Sequence, residues 1–175
     1  SNDYILLVDE AHNLVDRARG MYSSILELET LQKCHRLFKP KQGKCYRRFK
    51  KLYDYLKDKD KQEQFTQKEL DLELIELCRQ FSIEAREILP DLEDSPFKEQ
   101  LIETFFAAND IVKISEFYNS DYISYYENHQ YHLFCLNPSR NLIPIYNGVR
   151  SVILFSATLL PIVYFFNLLG GTDTT

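Results

Sequence analysis

The sequence predicts a mainly α-helical protein with a small β part, in which a long helical segment separates two pieces of an α/β sheet. Residues 4–8 and 151–155 are short apolar runs with the length and branched side chains of buried strands. Much of the chain between them repeats apolar residues every three or four positions, as amphipathic helices do. We therefore expect one or two compact domains in which helices dominate.

The composition is typical of a folded globular protein. Apolar residues occupy 45% of the 175 positions and aromatic residues 14%, which is enough to build a core. No apolar run approaches the roughly 18 residues of a membrane helix, so we expect no membrane contact. The first residues do not resemble a signal peptide, and the chain starts at a strand, so we expect a piece excised from a longer protein.

Two carboxylates directly follow the first apolar run. Asp9 and Glu10 stand at the exit of a predicted parallel strand, the end of an α/β sheet at which ligands bind. An Asp in this place can hold Mg²⁺, directly or through water. A Glu beside it can orient or deprotonate a water that attacks a γ-phosphate. The competing interpretation is a solvated acidic turn.

A second polar group follows the other apolar run. Ser156 and Thr158 come directly after residues 151–155. Their hydroxyls can relay the state of a bound nucleotide by hydrogen bonding, or can cap the helix that is predicted from Pro161 onward. The two interpretations are compatible for Thr158.

The two strand ends resemble two helicase motifs. The string D-E-A-H at residues 9–12 looks like the Walker B box, motif II, of superfamily 2 helicases, and S-A-T at residues 156–158 resembles their motif III. The first residues of the two strings lie 147 positions apart. This separation resembles the XPD/DinG family of DNA helicases, in which an arch domain lies between the two motifs.

The resemblance implies an activity and a division of the chain. It implies an ATP-dependent DNA helicase that uses ATP and Mg²⁺, moves 5′ to 3′ along single-stranded DNA and serves repair or replication. Residues 1–13 and 120–175 would form a partial RecA-like motor domain, and residues 14–119 the helical arch. The implied site residues are Asp9 for the metal, Glu10 and His12 for catalysis, and Asp9, Ser156 and Thr158 for the nucleotide.

The helical middle begins with two predicted helices. Residues 14–37 form the first, with Asn13 as N-cap and Gly20 as a weak point at which the helix can kink or break. Residues 46–56 form the second, because their aromatic and leucine side chains recur at helical spacing. That spacing favours a place in the core for these rings.

The later elements have clearer start and stop signals in the sequence. A capping box at residues 66–69 starts a third helix, which Pro90 stops. Ser95 starts a fourth as N-cap. The remaining expected elements are a hairpin of strands 122–126 and 131–136, a helix over 138–147, the strand 151–155 and a last helix from residue 161 to 169.

A basic segment marks the expected DNA contact. Residues 33–61 carry twelve Lys or Arg and three Asp, a net charge of +9 in a chain whose net charge is −5. Basic residues interleaved with rings are what a single-strand path uses, although a solvated helix face is the competing interpretation. The residues expected to contact DNA are Arg36, Lys41, Lys44, Arg47, Arg48, Lys50 and Lys51.

The cysteines do not indicate a metal centre. They form no C-x-x-C pair, so metal-ligand spacing is absent, and a reducing cytoplasm is the expected compartment. Cys78 and Cys135 fall within apolar patterns, so we expect these two thiols to be buried. In the family that the chain resembles, iron–sulfur ligands precede motif II, so a cluster is possible upstream but is not expected within these residues. The four positions are Cys34, Cys45, Cys78 and Cys135.

The ATPase machinery in these residues is incomplete. No G-x-x-x-x-G-K-[ST] loop occurs in the sequence, so we expect the chain alone neither to hydrolyse ATP nor to bind it tightly. One alternative is a non-enzymatic helical module that binds DNA or protein and has a chance D-E-A-H string. Another is a helicase of an RNA-acting branch. The sequence indicates no particular protein partner.

Overall fold

The computed structural model describes residues 3–38, 43–61, 65–67 and 69–171, and helices make up most of them. None of the helices in these ranges is long and apolar enough to cross a membrane. The helices are α1 (Leu14–Met21), α2 (Leu28–Leu37), α3 (Gly43–Asp60), α4 (Leu72–Ile88), α5 (Pro96–Ser115), α6 (Ser139–Asn147) and α7 (Ile162–Leu168). The strands are β1 (Ile5–Val8), β2 (Ser24–Glu27), β3 (Phe65–Gln67), β4 (Tyr122–Glu127), β5 (Gln130–Cys135) and β6 (Ser151–Leu154).

The chain divides into two compact units. Residues 1–23 with 134–175 form the first, here called the sheet-end unit, and residues 24–133 form the second, here called the helical unit. In the sheet-end unit, β1 and β6 pair in parallel, and Ile5 lies opposite Ser151. This pairing confirms the prediction that the two apolar runs lie side by side, although more than 140 residues separate them in sequence.

The core of the sheet-end unit lies on one face of this strand pair. Its buried residues are Val15 and Ala18 of α1, Leu142 of α6, and Leu169, which follows α7. Leu154 of β6 packs against them. Alternate side chains along a strand point to opposite faces, so the residues between the half-buried ones are exposed. These exposed apolar residues are Ile5, Leu7 and Ile153.

Four helices and a four-stranded sheet build the helical unit. α3 packs on α4, α4 on α5, and α5 on α2. The sheet has the strand order β2-β5-β4-β3. Large side chains from each helix are fully buried between these elements, so the helical unit has a larger hydrophobic core than the sheet-end unit. They include Leu31, Phe49, Leu52, Leu56, Leu74, Phe81, Leu101 and Ile111.

The first predicted helix is two helices with a strand between them. The helix over 14–37 was expected to be continuous, but α1 ends at Met21, one residue after the weak point Gly20. Residues Ser24–Glu27 then alternate between buried and exposed and pair antiparallel with β5. Leu26 is fully buried by this pairing. Tertiary pairing therefore overrides the helical spacing, which alone would have continued the helix.

The third helix starts later than its predicted capping box. Residues Phe65–Gln67 form β3 and pair with β4, and α4 begins at Leu72. Its N-cap is Asp71, whose carboxylate accepts a hydrogen bond from the backbone N–H of Leu74 at 3.0 Å. The capping-box prediction is therefore wrong. Ser95 does cap α5, and its hydroxyl accepts a hydrogen bond from the N–H of Lys98 at 3.2 Å.

The hairpin was predicted correctly, but the strands that pair with it on either side were not predicted. β4 and β5 are joined by Asn128 and His129, both with positive φ, as tight hairpin turns require. Its strands pair with β3 and β2, so most of the hairpin lies in the helical unit. The boundaries between the two compact units therefore lie after residues 23 and 133, whereas the expected domain boundaries were after residues 13 and 119. The assignment of these units to a motor and an arch stays a proposal.

Candidate functional site

The backbone turns sharply at the exit of β1. Glu10 has a left-handed conformation with φ of 52°, and its N–H donates to Asp9 Oδ1 at 2.7 Å. A non-glycine residue in this conformation costs on the order of 1 kcal/mol and is often found at functional sites. The turn ends the strand and starts the short 3-10 turn Ala11–Asn13, which leads into α1. Both carboxylates are exposed.

Backbone hydrogen bonds continue the pairing of β1 and β6 beyond the strands. Phe155 N–H donates to the Val8 carbonyl at 3.1 Å, and Ala11 N–H donates to the Phe155 carbonyl at 3.1 Å. These two bonds hold the segment after β1 against the segment after β6. The polar residues that follow the two strands are therefore brought to one edge of the sheet.

His12 lies between the two polar segments. Its Nδ1 is 2.8 Å from Ser156 Oγ and 3.1 Å from Glu10 Oε2. A histidine nitrogen can donate to the carboxylate or accept from the hydroxyl, depending on tautomer and protonation. The Thr158 N–H donates to the same Ser156 Oγ at 3.3 Å. Glu10, His12, Ser156 and the backbone of Thr158 thus form one hydrogen-bonded group.

A small cavity of about 170 Å³ borders the two carboxylates. Carboxylate oxygens are suitable ligands for Mg²⁺, which usually keeps several waters or substrate phosphates as its other ligands. The described residues contain no group of three or more His, Cys, Asp or Glu that could hold a metal ion alone. A metal at Asp9 would therefore depend on ligands from phosphate or water. The lining residues are Val8, Asp9, Glu10, Asn13, Leu14 and Arg17.

Arg17 is a residue that the sequence analysis missed. It is exposed and lies on α1 four residues after Asn13, so both occupy one face of the helix. This places a guanidinium beside the cavity that the carboxylates border. The signal available in the sequence was this spacing of four after the strand exit.

The predicted DNA-contacting residues have different surroundings. Lys44, Arg47 and Lys51 are exposed on α3 at a spacing of three and four, which places them in one row. Arg36 is exposed in the last turn of α2. Lys41 lies outside the described residues.

Two of the candidates are engaged within the protein. Arg48 Nη1 donates to Gln80 Oε1 at 2.7 Å, and Lys50 bonds to Asp54 on the same helix. Their charged groups are therefore less available to contact DNA phosphates than those of the exposed residues. We call Lys44, Arg47 and Lys51 the basic row, because these residues present their charges outward.

The aromatic residues of the basic segment belong mainly to the core. Phe49 is fully buried, and its ring stacks on Phe38 at a centroid distance of 5.0 Å and on Tyr53 at 6.1 Å. His35 of α2 stacks on Tyr53 at 4.6 Å. The interpretation of the rings of this helix as core, which their helical spacing favoured, is confirmed for Phe49 and Tyr53, whereas Tyr46 and Tyr55 are half-buried. Phe49 and Tyr53 are not available to stack on nucleobases.

The four thiols are buried, and none of them forms a disulfide. Burial raises the pKa of Cys34 to about 11 and that of Cys45 to about 12. A thiol with such a pKa stays protonated near neutral pH, and protonated thiols are poor nucleophiles and poor metal ligands. The cysteines therefore act as small apolar side chains of the core.

Comparison with solved structures identifies the fold, while no protein-family model and no curated protein matches the chain. A structure titled "XPD_Helicase" has a TM-score of 0.55 at 19% identity over 97% of this chain, and "XPD_APO" has a TM-score of 0.55 at 19% identity over 97%. "Structure of S. tokodaii Xpd4" has a TM-score of 0.50 at 19% identity over 90%.

The chain covers 30%, 33% and 34% of the lengths of these three structures, respectively. At this level of identity, the likeness concerns the fold. The predicted fold class is confirmed, because the chain is mainly helical with a small sheet part and its neighbours are XPD helicases. The chain has the fold of a segment of these XPD-helicase structures.

Proposed function

We propose that this chain is the part of an XPD/DinG-type ATP-dependent DNA helicase that runs from motif II to motif III. One observation carries the proposal: β1 and β6 pair in parallel, and His12 after the first strand contacts Ser156 after the second at 2.8 Å. A chance D-E-A-H string has no reason to meet an S-A-T string in this way. The likeness in fold to XPD helicases supports the same conclusion.

We infer distinct roles for the two carboxylates. Asp9 would hold Mg²⁺, which when bound supplies charge stabilisation for the phosphates of ATP. Glu10 would orient the attacking water and accept its proton. Its side chain is 60% exposed, so water can reach it.

His12, Ser156 and Thr158 would link the nucleotide site to the segment after β6. Glu10 Oε2 and Ser156 Oγ share the single nitrogen Nδ1 of His12. A change of charge at Glu10 therefore alters which of the two partners His12 favours, because a protonated Nδ1 can donate to the Glu10 carboxylate, whereas an unprotonated Nδ1 can accept only from the Ser156 hydroxyl. Such a two-state contact is what coupling between sites needs.

The helical unit would supply the contact with single-stranded DNA. The basic row presents three cations over eight residues of α3, and the N-terminal end of that helix adds the positive end of its dipole. Movement from 5′ to 3′ and a role in repair or replication follow from the resemblance to the XPD/DinG family. A cytoplasmic location is proposed from the cysteine usage of the chain.

The proposal is tested by Glu10→Gln in the intact enzyme. The amide keeps the shape of the side chain but cannot accept the proton, so ATP turnover should fall by at least about 100-fold while ATP binding stays near the parent value. Glu29→Gln, at an exposed carboxylate on α2, is the matched control and should leave turnover unchanged. Turnover of the Glu10 variant within twofold of the parent would remove this residue from catalysis.

A further inference from the structure

The basic row lacks exposed rings on its own helix. Proteins that bind single strands combine charge for the phosphates with rings on which the bases stack. Phe49 and Tyr53 of α3 are buried in the core. Among the described side chains of the helical unit, the strongly exposed phenylalanines are Phe106, at 56%, and Phe117, at 43%. The most exposed phenylalanine rings of this unit therefore lie outside α3.

An exposed aromatic surface lies on α4 and α5. The guanidinium of Arg86 lies 5.8 Å from the centre of the Phe105 ring. Phe105 is half-buried and contacts Phe106 edge-on at a centroid distance of 5.4 Å, which leaves Phe106 facing outward. Ile83 lies three residues before Arg86, on the same face of α4, and is 54% exposed. We call Ile83, Arg86, Phe105 and Phe106 the ring platform.

The arginine of the platform can still bind a ligand. No carboxylate among the described residues forms a salt bridge with Arg86, whereas the nearby Arg79 has a long contact of 3.9 Å with Glu76. Stacking on Phe105 uses one face of the guanidinium and leaves its N–H groups free to donate. A cation beside an exposed ring complements the two parts of a nucleotide, which are an anionic phosphate and an apolar base face.

The basic row and part of the platform lie on helices that pack against each other. α3 packs on α4, and Arg48 of α3 donates to Gln80 of α4 at 2.7 Å. Gln80 lies three residues before Ile83, and the helical rise places Gln80 and Arg86 about 9 Å apart along α4.

We propose that the ring platform is a second nucleic-acid contact, in which an unpaired base stacks on Phe106 and Arg86 binds the adjacent phosphate. The inference rests on the proposed function, because it requires that the helical unit binds single-stranded DNA. It extends that function by assigning the base contact to α4 and α5, while the basic row on α3 contacts only phosphates.

The test compares Phe106→Ala with the parent chain on two ligands. Fluorescence anisotropy is measured with a labelled oligothymidine and with an abasic strand of the same length. The variant should bind oligothymidine roughly 5- to 150-fold more weakly, the range measured for losing one stacked base. It should bind the abasic strand as the parent does, because that strand has no base to stack.

The matched control is Phe117→Ala, which removes an exposed ring outside the platform and should leave binding to both strands unchanged. Circular dichroism should show that both variants keep the helical content of the parent. The salt dependence of binding should also be unchanged by Phe106→Ala, since the phosphate contacts remain.

Three results would overturn the proposal. If the parent binds oligothymidine and Phe106→Ala binds it equally well, the platform does not contact bases, and a surface that serves a protein partner gives this result. If the variant loses affinity equally for the abasic strand, Phe106 does not act by stacking. If the parent chain binds neither strand, both the proposed DNA binding of the helical unit and the proposed role of the platform are contradicted.

Discussion

Asp71 connects three elements of the helical unit. Its side chain is 6% exposed, and its carboxylate accepts hydrogen bonds from the hydroxyls of Tyr55 at 2.9 Å and Tyr126 at 3.3 Å. The same group caps α4 through Leu74 N–H, and Lys59 Nζ lies 3.6 Å away. Burial and the carboxylate raise the pKa of both tyrosines, so they stay protonated and keep donating.

We expect Asp71→Ala to lower the free energy of unfolding by about 2–3 kcal/mol. Loss of an N-cap costs about 1 kcal/mol, and leaving buried donors without an acceptor costs about as much again or more. Urea denaturation followed by circular dichroism measures the change. Asp71→Asn should cost less because its amide oxygen can still cap the helix, and Glu73→Ala in the same turn is the control. A loss below about 0.5 kcal/mol in the alanine variant would contradict this role.

The two polar centres differ in how far the sequence could predict them. Glu10 and Ser156 could be proposed because they follow apolar strands closely and strand ends of a parallel sheet meet at one edge, whereas His12 was proposed only through the resemblance to the helicase motif. The network of Asp71 could not be found. A capping box at residues 66–69 gave an equally good local signal, and Tyr55 and Tyr126 lie 16 and 55 positions from Asp71.

β2 and α3 show what helical spacing can and cannot decide at the scale of elements. The apolar positions of α3 predicted its buried face correctly, because one amphipathic helix determines that face by itself. β2 is only four residues long, and its pairing partner β5 lies more than 100 residues away. Periodicity within a window of residues contains no information about such a partner, so residues 24–27 were assigned to a helix.

We expect the basic row to supply most of the DNA affinity of α3. Reversing Lys44, Arg47 and Lys51 to Glu should abolish detectable binding to single-stranded DNA at moderate salt. Each lost phosphate contact should also lower the salt slope by about 0.7 log units per log unit of salt. Fluorescence anisotropy at several salt concentrations measures both effects, while circular dichroism should stay unchanged because all three side chains are exposed.

A second triple variant separates local contact from net charge. Lys33, Lys57 and Lys113 are exposed lysines elsewhere in the helical unit, and reversing them to Glu changes the total charge by the same amount. It should weaken binding much less than reversal of the basic row. Equal losses in the two variants would show that α3 acts only through the overall charge of the unit.

At the scale of the whole molecule, the two units differ in how the chain builds them. The helical unit is one continuous stretch, residues 24–133, whereas the sheet-end unit joins residues 1–23 to residues 134–175. The pairing of β1 with β6 therefore closes a loop that contains the whole helical unit. Closing a loop of that length costs conformational entropy, and a helical unit that folds by itself would shorten the effective loop.

We therefore expect residues 24–133 to fold as an independent protein. Their core side chains, among them Leu31, Phe49 and Phe81, are buried by partners within the same stretch. The excised stretch should unfold in urea in one cooperative transition, with an m-value of roughly 1–3 kcal/mol per molar. It should also bind oligothymidine with the affinity of the full chain, since the basic row and the ring platform both lie within it. A gradual unfolding transition would show that the helical unit requires the sheet-end unit for its stability. An excised stretch that folds but does not bind oligothymidine would show that the sheet-end unit is required for DNA contact.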